Sequence, residues 1–252
     1  MHRIFYQFEG ATPAPGDEVR IIGEEARHAL RVKRLETGHR LEVIDGSGTL
    51  AHASVLGSEK LGKRDGWALL LTVESVLEAP RDIPHIDVRS AVPKGPRLES
   101  MVDALSQVGA ATWGPLISER AVVDPREGKL SRLERVVEES AKQCGRAWLM
   151  EIAPRTFIDD LQGLGEHLVV ADASGEPYKP TGSNFITLAV GPEGGWSQSE
   201  LDKLRQSGAR VCAFGTHVMR IETAVVSACA IMLDAEQRDR VVPGTPGRED
   251  TP

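Results

Sequence analysis

Two stretches hold the residues whose types and spacing suit chemistry. The first, Ile186 to Glu200, reads ITLAVGPEGGWSQSE. An apolar run leads into Gly191-Pro192-Glu193-Gly194-Gly195 and then into Ser197-x-x-Glu200, the signature of a capped helix start. Glycines carry no Cβ, so backbone amides and carbonyls can come close to a ligand. A loop of this kind can read an adenine edge through backbone hydrogen bonds, although by itself it also reads as a tight turn. It lacks the Lys-Ser/Thr pair of a phosphate loop and the spaced glycines of a dinucleotide fingerprint. The second stretch, Phe214 to Ala224, reads FGTHVMRIETA. It is another strand-to-loop-to-helix junction, and the two loops together are expected to hold a small-molecule cofactor.

Loops of this type need a frame. The spacing predicts strands at Arg3 to Phe8, Arg40 to Asp45, Thr49 to Val55 and Ala68 to Leu77, with an Asp-Gly hairpin turn and a short helix from Glu24 to Leu35. Ala26, Leu30 and Val32 are its candidate inward positions. Short strands with one helix suggest a small barrel of OB or PUA-like type over residues 1–78. The prolines of EAPRDIP mark a boundary. Beyond it, strands at His85 to Val92, Thr112 to Ile117, His167 to Asp172, Ile186 to Val190 and Arg210 to Phe214 alternate with helices. Those helices run from Leu98 to Val108, Leu130 to Cys144, Ser197 to Gly208 and Thr223 to Gln237. That alternation predicts an α/β domain with a mostly parallel sheet over residues 79–240. The tail, 241–252, is expected to be disordered.

Composition narrows the function classes. The net charge of −7 argues against a surface uniformly positive for nucleic acid. Yet Arg27, His28, Arg31, Lys33, Arg34, His39 and Arg40 crowd one stretch with Glu36 as its single acid, so the asymmetry is informative. It reads either as a solvated charged face or as an RNA-binding surface. No apolar run reaches the ~20 residues of a membrane span, and MHRIFYQFEG lacks the apolar core of a secretory signal. A cytoplasmic protein without membrane contact is expected. Cys144, Cys212 and Cys229 have no metal-ligand spacing, so three reduced, buried thiols and no metal are expected.

GPEGGWSQSE followed by FGTHVMRIETA resembles the paired signature of SPOUT-class RNA methyltransferases, and within them the family that methylates N3 of a uridine in 16S ribosomal RNA. PKGPRLESMVDALSQVGA, PLISERAVV and KQCGRAWLMEIAP resemble that family's middle blocks in the same order. HALRVKRLETGHRLEVIDGSG resembles its PUA-like domain. The likeness covers about Arg3 to Leu233. The chain departs from the family pattern at three places. Phe214-Gly215-Thr216-His217 stands for the usual Leu-Gly-Pro-Arg, Arg220-Ile221-Glu222-Thr223 for Arg-Thr-Glu-Thr, and Lys142 for a common Glu.

The resemblance implies a deep trefoil knot in the C-terminal half, a homodimer, and S-adenosylmethionine held in the knot. The cofactor-binding residues would be Val170, Asp172, Gly191, Glu193, Gly195, Phe214, Gly215, Val218, Met219, Arg220, Glu222 and Thr223. Uridine N3 carries a proton at neutral pH, so transfer to it needs a base or a group that stabilises the uracil anion. The catalytic candidates are Glu193, which can accept a proton or orient the cofactor's amine, and Arg220, which can stabilise charge on the uracil oxygens. Glu193 also reads as a cap for nearby amides, Arg220 as a salt-bridge partner, and Asp172 as a turn former. RNA contacts would come from Arg3, Arg27, His28, Arg31, Lys33, Arg34, Lys94, Arg97, Arg120 and Arg146. Competing readings are a SPOUT enzyme acting on another RNA, such as a tRNA base or ribose, and a noncatalytic RNA-binding assembly factor. An unrelated nucleotide-binding α/β enzyme is disfavoured by the absence of phosphate-loop residues.

Overall fold

A computed structural model describes residues 2–8, 10–62, 66–123 and 127–241 of the chain. Among these, contacts define two units. One takes the residues up to Arg81 together with Val137–Leu149, and the other takes Asp82–Val136 and the residues from Met150 on.

In the first unit, strands β1 (His2–Phe5), β2 (Glu18–Ile21), β3 (Arg40–Ile44), β4 (Thr49–Lys60) and β5 (Trp67–Glu78) form one sheet in the order β1-β3-β4-β5-β2. The β3–β4–β5 meander is antiparallel, and β1 joins it parallel to β3. Alternating side chains, among them Leu41, Val43, Ala51, Ala53, Val55, Leu69 and Leu71, make a core on one face. Helix α1 (Gly23–Arg31) covers it with Ala26 and Ala29, and Leu30 packs at the margin. Val32 is 66% exposed rather than inward, because the helix ends one residue before it. Strand β2 has no counterpart in the sequence reading. Its four residues offer only Val19 and Ile21 as an inward pair, too short a pattern to stand out.

The second unit is built on β6 (His85–Ser90), β7 (Thr112–Ile117), β8 (Glu151–Ile152), β9 (Thr156–Phe157), β10 (Leu168–Pro177), β11 (Phe185–Val190) and β12 (Arg210–Ala213). The main sheet runs β12-β10-β11-β6-β7-β8, and β9 pairs with β7 off this path. Every pairing in it is parallel, as the alternation of strands and helices predicts. Its helices are α2 (Arg97–Val108), α4 (Gln198–Gln206), α5 (Ile221–Val241) and the first part of α3 (Glu127–Cys144), whose residues from Val137 on belong to the first unit, and a 3-10 segment spans Ile158–His167. Gly109, in the left-handed region at φ 106°, ends α2. The capping box at α4 is formed: Glu200 N donates to Ser197 Oγ at 3.3 Å, and Ser197 N donates to Glu200 Oε2 at 2.8 Å. Leu161, Leu168, Val170, Trp196, Leu201 and Leu204 pack together as a core under α4 and the 3-10 segment.

Three features lay beyond the sequence pattern. The two-residue strands β8 and β9 and the 3-10 segment, which breaks at Gly165, carry no usable periodicity. Strand β10 does not stop at Asp172. It continues to Pro177 after an excursion, with Ala171 and Glu176 both registered on Cys212. A Cβ at Gly175 would collide with the Val211 carbonyl, so only glycine lets β10 return this close to β12. Cys212 and Cys229 are buried, but Cys144 is exposed, because it closes α3. Among the described residues no helix is long and apolar enough to cross a membrane. Apart from Val241, the tail 241–252 lies outside the described residues.

Candidate functional site

The carboxyl ends of β11 and β12, with β10 where it begins its excursion after Ala171, surround a cavity of about 350 Å³. Residues 171–173 and 190–196 line one side, and residues 214–215, 217–219, Ile221, Ala224 and Ala228 line the other. This is where open parallel sheets place ligands.

The first loop is held from within. Gly195 N donates to Pro192 O at 2.8 Å, and Gly195 adopts φ 67°, a left-handed conformation that favours glycine. A Cβ on Gly191 would stand 2.9 Å from the Trp196 ring, so the glycine makes room for the indole. Trp196 Nε1 in turn donates to Ala171 O at 3.0 Å, tying the loop to the end of β10. Arg120 holds the same loop from the β7 side, donating from Nη1 to Gly194 O at 2.8 Å and Trp196 O at 3.2 Å. Glu119 N donates to Glu200 Oε1 at 2.7 Å, which fixes the helix start alongside.

The second loop is open. Residues 215–218 are exposed, and Val218 is 94% exposed. Phe214 stacks on Tyr178 with ring centroids 5.8 Å apart. The loop closes at Arg220, whose carbonyl accepts from Thr223 N at 3.0 Å and Ala224 N at 2.8 Å to begin α5.

Asp172, Gly191, Glu193, Gly195, Phe214, Gly215, Val218 and Met219 are gathered on the cavity. Val170, Arg220, Glu222 and Thr223 are outside the lining. Val170 is fully buried in the core beneath it. Arg220 and Thr223 are exposed at the start of α5, with Arg220 set between the lining residues Met219 and Ile221. Glu222 Oε1 lies 3.7 Å from Arg97 Nη1, and its Oε2 is buried without a hydrogen bond. Asp172 Oδ1 accepts from Ser174 N at 2.9 Å and Ser174 Oγ at 2.6 Å, shaping the excursion of β10.

Among the further lining residues that were not singled out as cofactor contacts are Trp196, His217, Ile221 and Ala228. Ile221, Ala224 and Ala228 fall at helical spacing, so small residues on one face of α5 were a legible sign of a close approach.

The electrostatics of the lining are one-sided. Its acidic side chains are Asp172 and Glu193, His217 lines it with them, and among the described residues the lining holds no Lys or Arg. Apolar surface comes from Val190, Phe214, Val218, Met219 and Ile221. Such a site suits a flat, neutral ring with a cationic or hydroxyl-bearing remainder, held by backbone groups and carboxylates. Among the described residues no cluster of three His, Cys, Asp or Glu is assembled for a metal ion.

The expected RNA-binding residues divide into two kinds. Arg27, His28, Arg31 and Arg34 are exposed on or just beyond α1, and Lys94 and Arg97 are exposed at the start of α2. Arg3 and Lys33 instead face inward contacts. Arg3 Nε pairs with Glu42 Oε2 at 2.6 Å and Nη1 donates to Lys142 O at 2.8 Å, while Lys33 Nζ donates to Arg3 O. Burial, and then the nearby Lys142, pull the Lys33 ammonium below its usual range. Arg146 is half-buried. Arg120 serves the first loop.

Lys142 is buried between Glu25 Oε1 and Glu139 Oε1, each at 2.6 Å. Burial disfavours its charge, but the two carboxylates outweigh burial and hold it above the usual lysine value.

Comparison with known proteins agrees with this geometry. Residues 80–233 match the family described as RNA methyltransferase domain, and residues 21–61 match the RNA methyltransferase PUA domain. A ribosomal RNA small subunit methyltransferase E of Synechocystis is 29% identical over 84% of this chain and 71% of its own length. One from Aquifex aeolicus is also 29% identical, over 83% of this chain and 91% of its own. A putative methyltransferase of Legionella pneumophila, solved with its cofactor SAM bound, superposes with a TM-score of 0.74 at 26% identity, over 92% of this chain and 96% of that one. With more than half of its length matched by one family, and the strand-end cavity inside that match, the chain belongs to the RNA methyltransferase domain family.

Proposed function

We propose that the chain transfers a methyl group from S-adenosylmethionine to N3 of a uridine in the 16S ribosomal RNA of the small subunit. The observation that carries this reading is the cavity: two glycine-bearing loops at parallel strands, with two carboxylates and, among the described residues, no Lys or Arg in the lining. The cofactor supplies an activated methyl on a cationic sulfur and has no phosphate, so its charge and shape agree with that lining. Support comes from the relatives, which are named as small-subunit ribosomal RNA methyltransferases, and from the Legionella structure, which holds SAM.

In this reading the backbone of 191–195 and of 214–219 binds the adenine, with Phe214 and Met219 packing on it. Asp172 meets the ribose hydroxyls. Glu193 takes the N3 proton or orients the cofactor's amine, and Arg220 stabilises the charge that gathers on the uracil oxygens. Arg220 lies outside the lining of the cofactor cavity but beside it, where a second reactant would arrive. Glu222 positions Arg97, and Thr223 fixes the first turn of α5. Arg27, His28, Arg31 and Arg34, with Lys94 and Arg97, supply phosphate contacts. A trefoil knot around the last helix, a homodimer and a cytoplasmic location complete the proposal.

The test is mass mapping of ribosomal RNA from a strain lacking the gene, followed by add-back of the protein with labelled S-adenosylmethionine and isolated small subunits. One uridine should lose its N3 methyl group in the deletion and regain it in vitro. If no uridine changes and none is labelled, the proposal fails.

A further inference from the structure

One buried carboxylate is more heavily satisfied than the fold requires of a connecting loop. Glu236, deep in α5, is fully buried. Its Oε1 accepts from Tyr178 OH at 2.6 Å, Thr181 N at 2.6 Å and Thr181 Oγ1 at 2.8 Å, and its Oε2 accepts from Gly182 N at 3.1 Å. A buried charge persists only with such partners. All of the donors lie on the segment that links β10 to β11. The ring of the tyrosine that Glu236 holds packs against a residue of the site. The Tyr178 ring stacks on Phe214 at 5.8 Å and an interplanar angle of 25°, and Phe214 is the first residue of the second cavity loop. Arg210 places its guanidinium 5.5 Å from the Tyr178 ring centre and donates to Lys179 O at 2.7 Å, which fixes the same segment against β12.

We infer that Tyr178, anchored by Glu236, is a positioning residue for the cofactor cavity: it backs Phe214 and fixes the wall that Phe214 presents. This rests on the cofactor reading proposed above. The loop around Phe214 is open, and residues 215–218 have little packing of their own. A ring stacked behind Phe214 supplies the order that the loop lacks, and the carboxylate on α5 supplies the order that the ring needs. The phenol stays a donor, because burial and then the Glu236 carboxylate push its pKa well above the usual tyrosine value.

The experiment is a set of variants of the full chain, Tyr178→Leu, Phe214→Leu and the double variant, read by calorimetric titration with S-adenosylmethionine below the unfolding temperature of each. Tyr178→Leu should weaken cofactor binding about three- to tenfold, the scale of a lost aromatic pair, and leave the apparent KM for RNA in place. The double variant should bind no more weakly than Phe214→Leu alone. Wild-type affinity in a Tyr178→Leu protein whose Tm has fallen would reduce the contact to a structural latch and overturn the inference. Losses that multiply in the double variant would also overturn it. Should Tyr178→Leu fail to fold, Tyr178→Phe decides. It keeps the ring without its anchor, so a loss of about two- to threefold is expected, and unchanged affinity ends the proposal. Absence of binding by the unmodified protein is a different failure, because it removes the cofactor reading itself.

Discussion

Arg120 donates to the carbonyl of Gly194 at 2.8 Å, so a cation that sequence reading assigned to RNA lies against the glycine loop of the cavity. A guanidinium bonded to two loop carbonyls fixes their direction more firmly than a neutral donor does.

Arg120→Ala should therefore weaken cofactor binding about tenfold, since a hydrogen bond to a charged group contributes about 1.5–3 kcal/mol. The same variant separates the two roles of the residue. If Arg120 serves the loop, the slope of log K for RNA against log salt stays as in the unmodified protein. A slope reduced by about one would mark a lost phosphate contact.

Gly191→Ala tests the seat of Trp196. The added methyl would stand 2.9 Å from the indole, which must move and release its bond to Ala171 O. Loss of cofactor binding by calorimetry, with a shift in tryptophan emission, is the expected result. An unchanged emission spectrum with unchanged affinity would show that the loop absorbs the methyl group.

Arg220→Ala should cut methyl transfer about a hundredfold, the scale of one lost group that stabilises developing charge. Cofactor affinity should stay near that of the unmodified protein, because Arg220 is outside the lining. Single-turnover rates with labelled cofactor, set beside calorimetry, make the comparison. Equal turnover would remove Arg220 from the chemistry.

The stability of the second unit should depend on acid through Glu236. Burial alone would raise its pKa, but the bonds from Tyr178, Thr181 and Gly182 outweigh burial and lower it below the ordinary value of 4.5. The folded state thus holds the carboxylate more tightly ionised than the unfolded chain does. Its stabilisation is complete above the unfolded value and is lost as pH falls through the folded one. Thermal unfolding followed from pH 6 downward should show a steeper acid loss in the unmodified protein than in Glu236→Gln. Parallel curves would assign the acid sensitivity to other groups.

Lys142→Glu restores the residue common in the family the sequence resembles, yet here it should destabilise. Three carboxylates would meet where Lys142 now joins Glu25 and Glu139. The lysine is buried but Glu25 is half-buried and Glu139 exposed, so the loss is smaller than for a fully enclosed pair, about 1–3 kcal/mol, readable as a lower midpoint in urea. Lys142→Met should cost less, because it leaves two carboxylates rather than three.

Much of the second unit was legible, and the reason is local. Strand runs such as Ile186 to Val190 are apolar enough to be buried on both faces, and the Ser197–Glu200 box and Gly109 mark helix ends by backbone chemistry alone. The two cavity loops followed from the same signs. What stayed hidden depended on residues far apart in the chain. Arg3 and Lys33 read as surface cations, but Arg3 pairs with Glu42 and the carbonyl of Lys142, and Lys33 donates to the carbonyl of Arg3. Val170 reads as a strand-end contact, but the pleat turns its side chain into the core. Asp172-Ala173-Ser174-Gly175 reads as the end of a strand, and nothing local reveals that β10 resumes beyond it.

That resumption makes the width of the cavity a property of the main chain. With Gly175 returning β10 against Val211 and Cys212, the strands that lead to Asp172 and Phe214 are held together by backbone contact, to which the Tyr178–Phe214 stack is added. Substitutions along the lining can change what the pocket prefers within a fixed aperture. A wider aperture, for a bulkier analogue of the cofactor, would have to begin with a residue larger than glycine at 175, where one methyl group acts as a wedge between strands.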